Sequence, residues 1–212
     1  MVGPPMFVKI CGITTAPDAL QALGAGADAV GLILTESPRR IDPSTAAEIV
    51  NALPPDALSV AVFRRETPER IIEAVRATGV RGAQVHGASP AELRALRSAL
   101  PFLVEAVPGG DGAAGRLDES EADLVLVDSA APGSGRGFDW SVLEGASRRR
   151  LVLAGGLTPE NVGRAVGSVR PFGVDVASGV EAAPGRKDHH RVRLFIARAH
   201  EAAARWEEGG DA

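Results

Sequence analysis

The chain has 212 residues, 45% hydrophobic and 24% charged, enough for one domain with a large core. Its net charge of −4 speaks against a nucleic-acid surface, which needs clustered basic residues. The single cysteine cannot close an internal disulfide, which suits a reducing cytoplasm, and no apolar stretch approaches the roughly 20 residues of a membrane span.

Residues 1–5 lack the charged start and long apolar run of a signal peptide and read as a disordered lead-in. Eight short apolar runs then alternate with helical patterns: Phe7–Ile10, Asp28–Leu34, Ser59–Phe63, Gly82–Val85, Phe102–Ala106, Asp123–Val127, Leu151–Ala154 and Phe172–Val176. Most are continuously apolar rather than alternating, as parallel strands covered on both faces are. Helix starts are marked by Asp42-Pro43, Thr67-Pro68, Ser89-Pro90 and Thr158-Pro159, each a capping side chain followed by proline at the first helical position. Ser89 to Glu92 adds a capping box, and Thr15 before Asp18 gives a weaker start. The fifth and sixth helices are poorly marked; Gly109–Ser120 reads as a loop with at most a short helix. The last helix spans roughly His189–Trp206, before a frayed tail at 207–212. Eight such units predict a single-domain α/β (βα)8 TIM barrel over residues 6–206. The Gly-x-Gly-x-x-Gly fingerprint of a doubly wound sheet is absent from the first turn.

Catalytic groups of such barrels sit at the C-terminal ends of the strands. The first strand ends in Cys11-Gly12, where a thiol can leave the core, although a lone cysteine more often packs as a small hydrophobe. Lys9, two residues earlier, shares its side of the strand and needs an anionic partner if it faces the interior. After the second strand come Arg39 and Arg40, either of which suits a carboxylate. The fourth ends in His86, read as a support or substrate contact rather than a metal ligand. The sixth ends in Asp128, whose burial would raise its pKa and fit it for general acid work; the alternative is a loop-capping role over Ser129–Gly137. Gly155-Gly156 after the seventh strand and Ser178-Gly179 after the eighth form a phosphate-binding pattern, and Asp175, at the inner end of the eighth strand, could orient a substrate nitrogen or pair with Lys9. His189-His190 reads as solvated, and no metal or cofactor is expected.

These segments together resemble the phosphoribosylanthranilate isomerase family. The resemblance runs through Lys9-Ile10-Cys11-Gly12, Ser37-Pro38-Arg39, Gln84-Val85-His86-Gly87, Leu126-Val127-Asp128, Gly133-Ser134-Gly135, Leu153-Ala154-Gly155-Gly156 and Asp175 to Glu181, almost the whole chain. It implies an aldose–ketose isomerase of tryptophan biosynthesis that takes a small phosphorylated substrate, with neither nucleic-acid nor membrane partner, as a monomer or homodimer in the cytoplasm. It implies Asp128 as general acid and Cys11 as general base. It gives Arg39 the anthranilate carboxylate, Asp175 the bridging nitrogen, and Gly155, Gly156, Ser178 and Gly179 the phosphate. A Schiff-base aldolase acting through Lys9 and a non-catalytic phospholigand-binding barrel are the alternatives. A dual-substrate isomerase is a narrower variant. How the Cys11 pKa would be lowered is open at this point, with Lys9 or a helix terminus as candidates.

Overall fold

A computed structural model describes residues 6–110, 112–129, 139–143 and 150–208. The lead-in 1–5, nearly all of the loop after Asp128 and the tail 209–212 fall outside these residues. Eight parallel strands close into a barrel in sequence order. They are β1 (Phe7–Cys11), β2 (Ala29–Ile33), β3 (Leu58–Arg64), β4 (Gly82–His86), β5 (Leu103–Pro108), β6 (Leu124–Asp128), β7 (Leu151–Leu153) and β8 (Gly173–Val176). Seven helices are described: α1 (Ala16–Gly24), α2 (Pro43–Ala52), α3 (Pro68–Thr78), α4 (Pro90–Ala99), α5 (Ala113–Glu119), α6 (Val162–Val169) and α7 (His189–Glu208). Between β6 and β7 the described helical structure is a single 3₁₀ turn, Trp140–Leu143. No helix among the described residues is long and apolar enough to cross a membrane.

Three of the five predicted caps form. Thr15 accepts from the Asp18 amide, Asp42 from Thr45, and Ser89 and Glu92 complete the capping box. Thr67 makes no side-chain cap bond, so α3 starts on its proline alone. The expected helix at Thr158-Pro159 begins later, at Val162. There the Thr158 amide is captured by the Asn161 side chain, 2.8 Å away, which holds residues 158–161 in a turn. At the other end α7 continues through Glu207 and Glu208, which were expected to fray. The structure also contains a hairpin that the strand count omits: β9 (Glu181–Ala183) and β10 (Arg186–Lys187), turning at Pro184-Gly185.

Side-chain alternation separates two cores. One face of each strand packs under the helices, as Val8, Ile10, Val125 and Val174 do. The other faces the barrel axis, where Val104, Ala106, Leu124, Leu126, Val152 and Ala154 cluster. Phe7 and Phe172 stack at the N-terminal end, with centroids 5.8 Å apart. The axis is therefore aromatic at its floor, aliphatic in its middle and ionic at its C-terminal mouth.

Two aspartates tie the floor together, each at the start of a strand. Asp28 accepts from the Val8 amide at 2.7 Å and Asp123 from the Leu103 amide at 2.9 Å. Each carboxylate supplies the ladder acceptor that its short strand lacks. Asp28→Ala should lower unfolding stability in urea by about 1–2 kcal/mol and leave kcat/KM unchanged, because it lies at the end remote from the mouth. A fall in kcat/KM with stability intact would contradict this division.

Candidate active site

The mouth is organised around β1. Its register pairs Lys9 with Asp175 across the β1–β8 seam and Cys11 with Gly31 across β1–β2. Lys9 points inward, as expected from its spacing to Cys11, and its Nζ donates to Asp175 Oδ1 at 2.8 Å with both groups buried. Burial alone pulls the Lys9 pKa down, but Asp175, aided by Cys11, wins and holds it above the ordinary lysine value. An ammonium is not a nucleophile, and Lys9 lines neither of the cavities at the mouth. The Schiff-base alternative therefore loses its only candidate on the first strand.

Cys11 has room because β2 carries glycine beside it. A Cβ on Gly31 would stand 2.8 Å from Cys11 Sγ and 3.1 Å from its Cα. The next residue, Gly12, has φ +71°, and a Cβ there would meet Arg39 Cδ at 2.5 Å. This turn lets Arg39 fold in beside Cys11 while Arg40 stays exposed. Burial pushes the Cys11 thiol above its ordinary value, outweighing the Lys9 and Lys187 ammonium groups; Asp175 adds to the rise. The thiol therefore lacks the lowered pKa that a thiolate base would favour.

A cavity of about 180 Å³ opens above these residues, with Cys11, Arg39, Arg64, Gln84, His86, Asp128 and Asp175 in its walls. Asp128 Oδ1 accepts from the Ser129 amide at 2.7 Å. Burial and the nearby Asp175 push Asp128 up to about 6, as its place at a strand end predicted. Gly155, at φ +83°, makes this arrangement fit: a Cβ would come 2.5 Å from the Ser129 nitrogen and 3.0 Å from Asp128 Oδ1. Burial, then the charge of Arg64, bring His86 down to about 4, so its ring is neutral at physiological pH. Its Nε2 meets Gln84 Nε2 at 3.1 Å, an arrangement in which the amide donates and the imidazole carries its proton on Nδ1. Gln84 Oε1 stays buried with no protein partner.

A smaller pocket adjoins this cavity, sharing Asp128, Asp175 and Ala177 and adding Gly155, Gly156 and Ser178. The Gly155 and Gly156 amides donate to no acceptor among the described residues, so they are available to an anion. Gly179 does not line the pocket. Its α-carbon packs against the Leu157 carbonyl, where a side chain has no space, so it contributes fit rather than contact.

Three side chains escaped the sequence reading as parts of the mouth. Arg64 shares the inward register of β3, a signal available in the strand pattern. Glu181 and Lys187 arrive on the hairpin, whose Pro184-Gly185 dipeptide is a turn signal. His189 is exposed, as expected, and also pairs with Asp18 Oδ1 at 2.7 Å. Among the described residues no three His, Cys, Asp or Glu side chains converge as a metal-ligand set.

Comparison with known proteins agrees with this geometry. The profile of the N-(5'phosphoribosyl)anthranilate (PRA) isomerase family matches residues 8–198. N-(5'-phosphoribosyl)anthranilate isomerase of Trichlorobacter lovleyi is 43% identical, covering 92% of this chain and 98% of its own. The crystal structure of the phosphoribosyl anthranilate isomerase of Thermus thermophilus superposes with a TM-score of 0.84 at 36% identity, covering 91% of this chain and 98% of its own. A phosphoribosyl anthranilate isomerase solved in complex with reduced 1-(o-carboxyphenylamino)-1-deoxyribulose 5-phosphate gives a TM-score of 0.79 at 40% identity, covering 92% and 98%.

The ion pair beneath Cys11 is open to measurement. Lys9→Met strands the Asp175 charge and should cost about 3–5 kcal/mol in urea unfolding, whereas adding Asp175→Leu should return most of that loss. A single variant as stable as the wild type would show that the pair does not hold the seam.

Proposed function

The chain belongs to the N-(5'-phosphoribosyl)anthranilate isomerase family, and on that premise we propose that Asp128 and Cys11 are the acid and base of its Amadori rearrangement. The reaction converts N-(5-phosphoribosyl)anthranilate to 1-(2-carboxyphenylamino)-1-deoxyribulose 5-phosphate in tryptophan biosynthesis. The observation that carries the residue roles is that Cys11 and Asp128 reach one cavity from separate strands, β1 and β6, with a phosphate-sized pocket next door.

Asp128 gives its proton to the furanose ring oxygen, and the ring opens to an imine between C1 and the anthranilate nitrogen. The C2 proton, acidified by that imine, passes to Cys11, leaving an enolamine. C1 then gains a proton and the C2 hydroxyl loses one, which yields the ketone and balances the protons. The backbone of Gly155 and Gly156, with Ser178, holds the phosphate, and Arg39 the anthranilate carboxylate. Asp175 stands where the two cavities meet, close to the path of the bridging nitrogen. The neutral His86 ring supports the substrate rather than exchanging protons with it.

Forward reaction requires a protonated Asp128 and a Cys11 thiolate at once. With the acid at about 6 and the thiol above its ordinary 9.0, the pair shares a single proton between these values, mostly placed on sulfur. As pH rises between the two values, loss of the acid's proton offsets gain of thiolate. Stability follows a related sign: because folding raises the Asp128 pKa, its ionisation weakens the fold as pH climbs from the ordinary carboxylate range through about 6.

Cys11→Ser and Asp128→Asn should each lower kcat/KM by about 10²–10⁴-fold in a fluorescence assay with freshly made substrate, and near-full activity in either would remove its assigned role. For the wild type, kcat/KM should rise to about pH 6, stay level, and fall only above the ordinary thiol range. A sharp maximum near pH 6, with activity falling through neutrality, would contradict the raised thiol.

A further inference from the structure

The hairpin after β8 places an ionic cluster against the mouth. Register pairs Lys187 on β10 with Glu181 on β9, so both reach the same side of the ribbon. Glu181 is saturated: its Oε1 accepts from Arg39 Nε at 2.8 Å, Lys187 Nζ at 3.0 Å and the Gly185 amide at 3.2 Å, and its Oε2 accepts from Arg39 Nη2 at 2.8 Å. The side chains are nearly inaccessible, Arg39 at 8%, Glu181 at 5% and Lys187 at 0%. Lys187 Nζ also donates to the Ala177 carbonyl, and the Lys187 amide reaches Asp18 at 3.3 Å. The hairpin is thereby fastened to β8 on one side and α1 on the other.

This arrangement restricts how Arg39 can meet a ligand. A guanidinium offers a carboxylate two paired edges, the side edge of Nε with one terminal nitrogen and the end edge of the two terminal nitrogens. Glu181 occupies the side edge with both of its oxygens. What remains toward the cavity is Nη1 and the outer N–H of Nη2. Two buried cations against one carboxylate also leave the cluster with a single positive charge, matched to one more carboxylate.

We propose that Glu181 is the positioning residue for substrate recognition: by holding the side edge of Arg39 it presents only the end edge to the anthranilate carboxylate, with Lys187 keeping the cluster at net +1. The proposal rests on Arg39 as the carboxylate-binding group, and its test separates the two. Dissociation constants are measured for reduced 1-(2-carboxyphenylamino)-1-deoxyribulose 5-phosphate and for its phenylamino counterpart without the carboxyl group, on wild type, Glu181→Gln and Glu181→Asp. The wild type should prefer the carboxylated analogue. In both variants the preference should shrink, by about tenfold in Glu181→Gln, while the carboxyl-free analogue binds as before. Glu181→Asp keeps the charge but draws it back by one methylene, so its loss of preference reports position rather than charge. A preference that survives both substitutions, or that grows in Glu181→Gln because a negative charge has gone, would overturn the Glu181 role alone. Equal weakening of both analogues would overturn it too, by showing a merely structural part. A wild type that ignores the carboxyl group would overturn the Arg39 assignment and the proposal with it.

Discussion

The Lys9–Asp175 ion pair is the constraint on which the mouth of this barrel depends. It joins the first strand to the last, across the seam where the barrel closes, and it does so one turn of alternation below Cys11. Taking two charges out of water is costly, and their attraction repays that cost only with close geometry. The register supplies that geometry by placing the two residues directly opposite each other. The pair therefore favours one register at the seam, since a slip of either strand by one residue would turn its charge toward the helix layer and leave the other buried without its partner.

The same pair sets the electrostatics above it. Asp175 raises both the Asp128 carboxyl and the Cys11 thiol, while Lys9 pulls against both. The result is a carboxyl that ionises only at about 6 and a thiol that keeps its proton above the ordinary thiol value. Asp175 thus links closure of the fold to the protonation of both Asp128 and Cys11 through one carboxylate.

Around this axis the ligand-facing groups are held by fit rather than by strength. Gly31 leaves space for Cys11, Gly12 for Arg39 and Gly155 for Asp128. Each reactive side chain has a glycine where a methyl group would displace it. The hairpin adds a second kind of control: its buried acid and lysine fix the direction from which an arginine can be approached.

Much of this was legible in the sequence. Eight apolar runs, helix starts marked by Ser, Thr or Asp before proline, and chemistry-bearing residues at run ends were enough for a barrel and its catalytic end, because strand period and capping are local properties. The inward direction of Lys9 followed from its spacing to Cys11, and the raised Asp128 from its position after four apolar residues. Other features depend on contacts between distant segments. Cys11 is made less acidic by burial and by Asp175 and more acidic by Lys9 and Lys187, and only packing decides which wins. Arg39 and Glu181, 142 positions apart, become partners because the strand order brings the second and eighth loops together. The sequence by itself determined which groups the mouth would hold; the tertiary structure decided their charge states and the edges they present, because those depend on desolvation and through-space neighbours that no local pattern encodes.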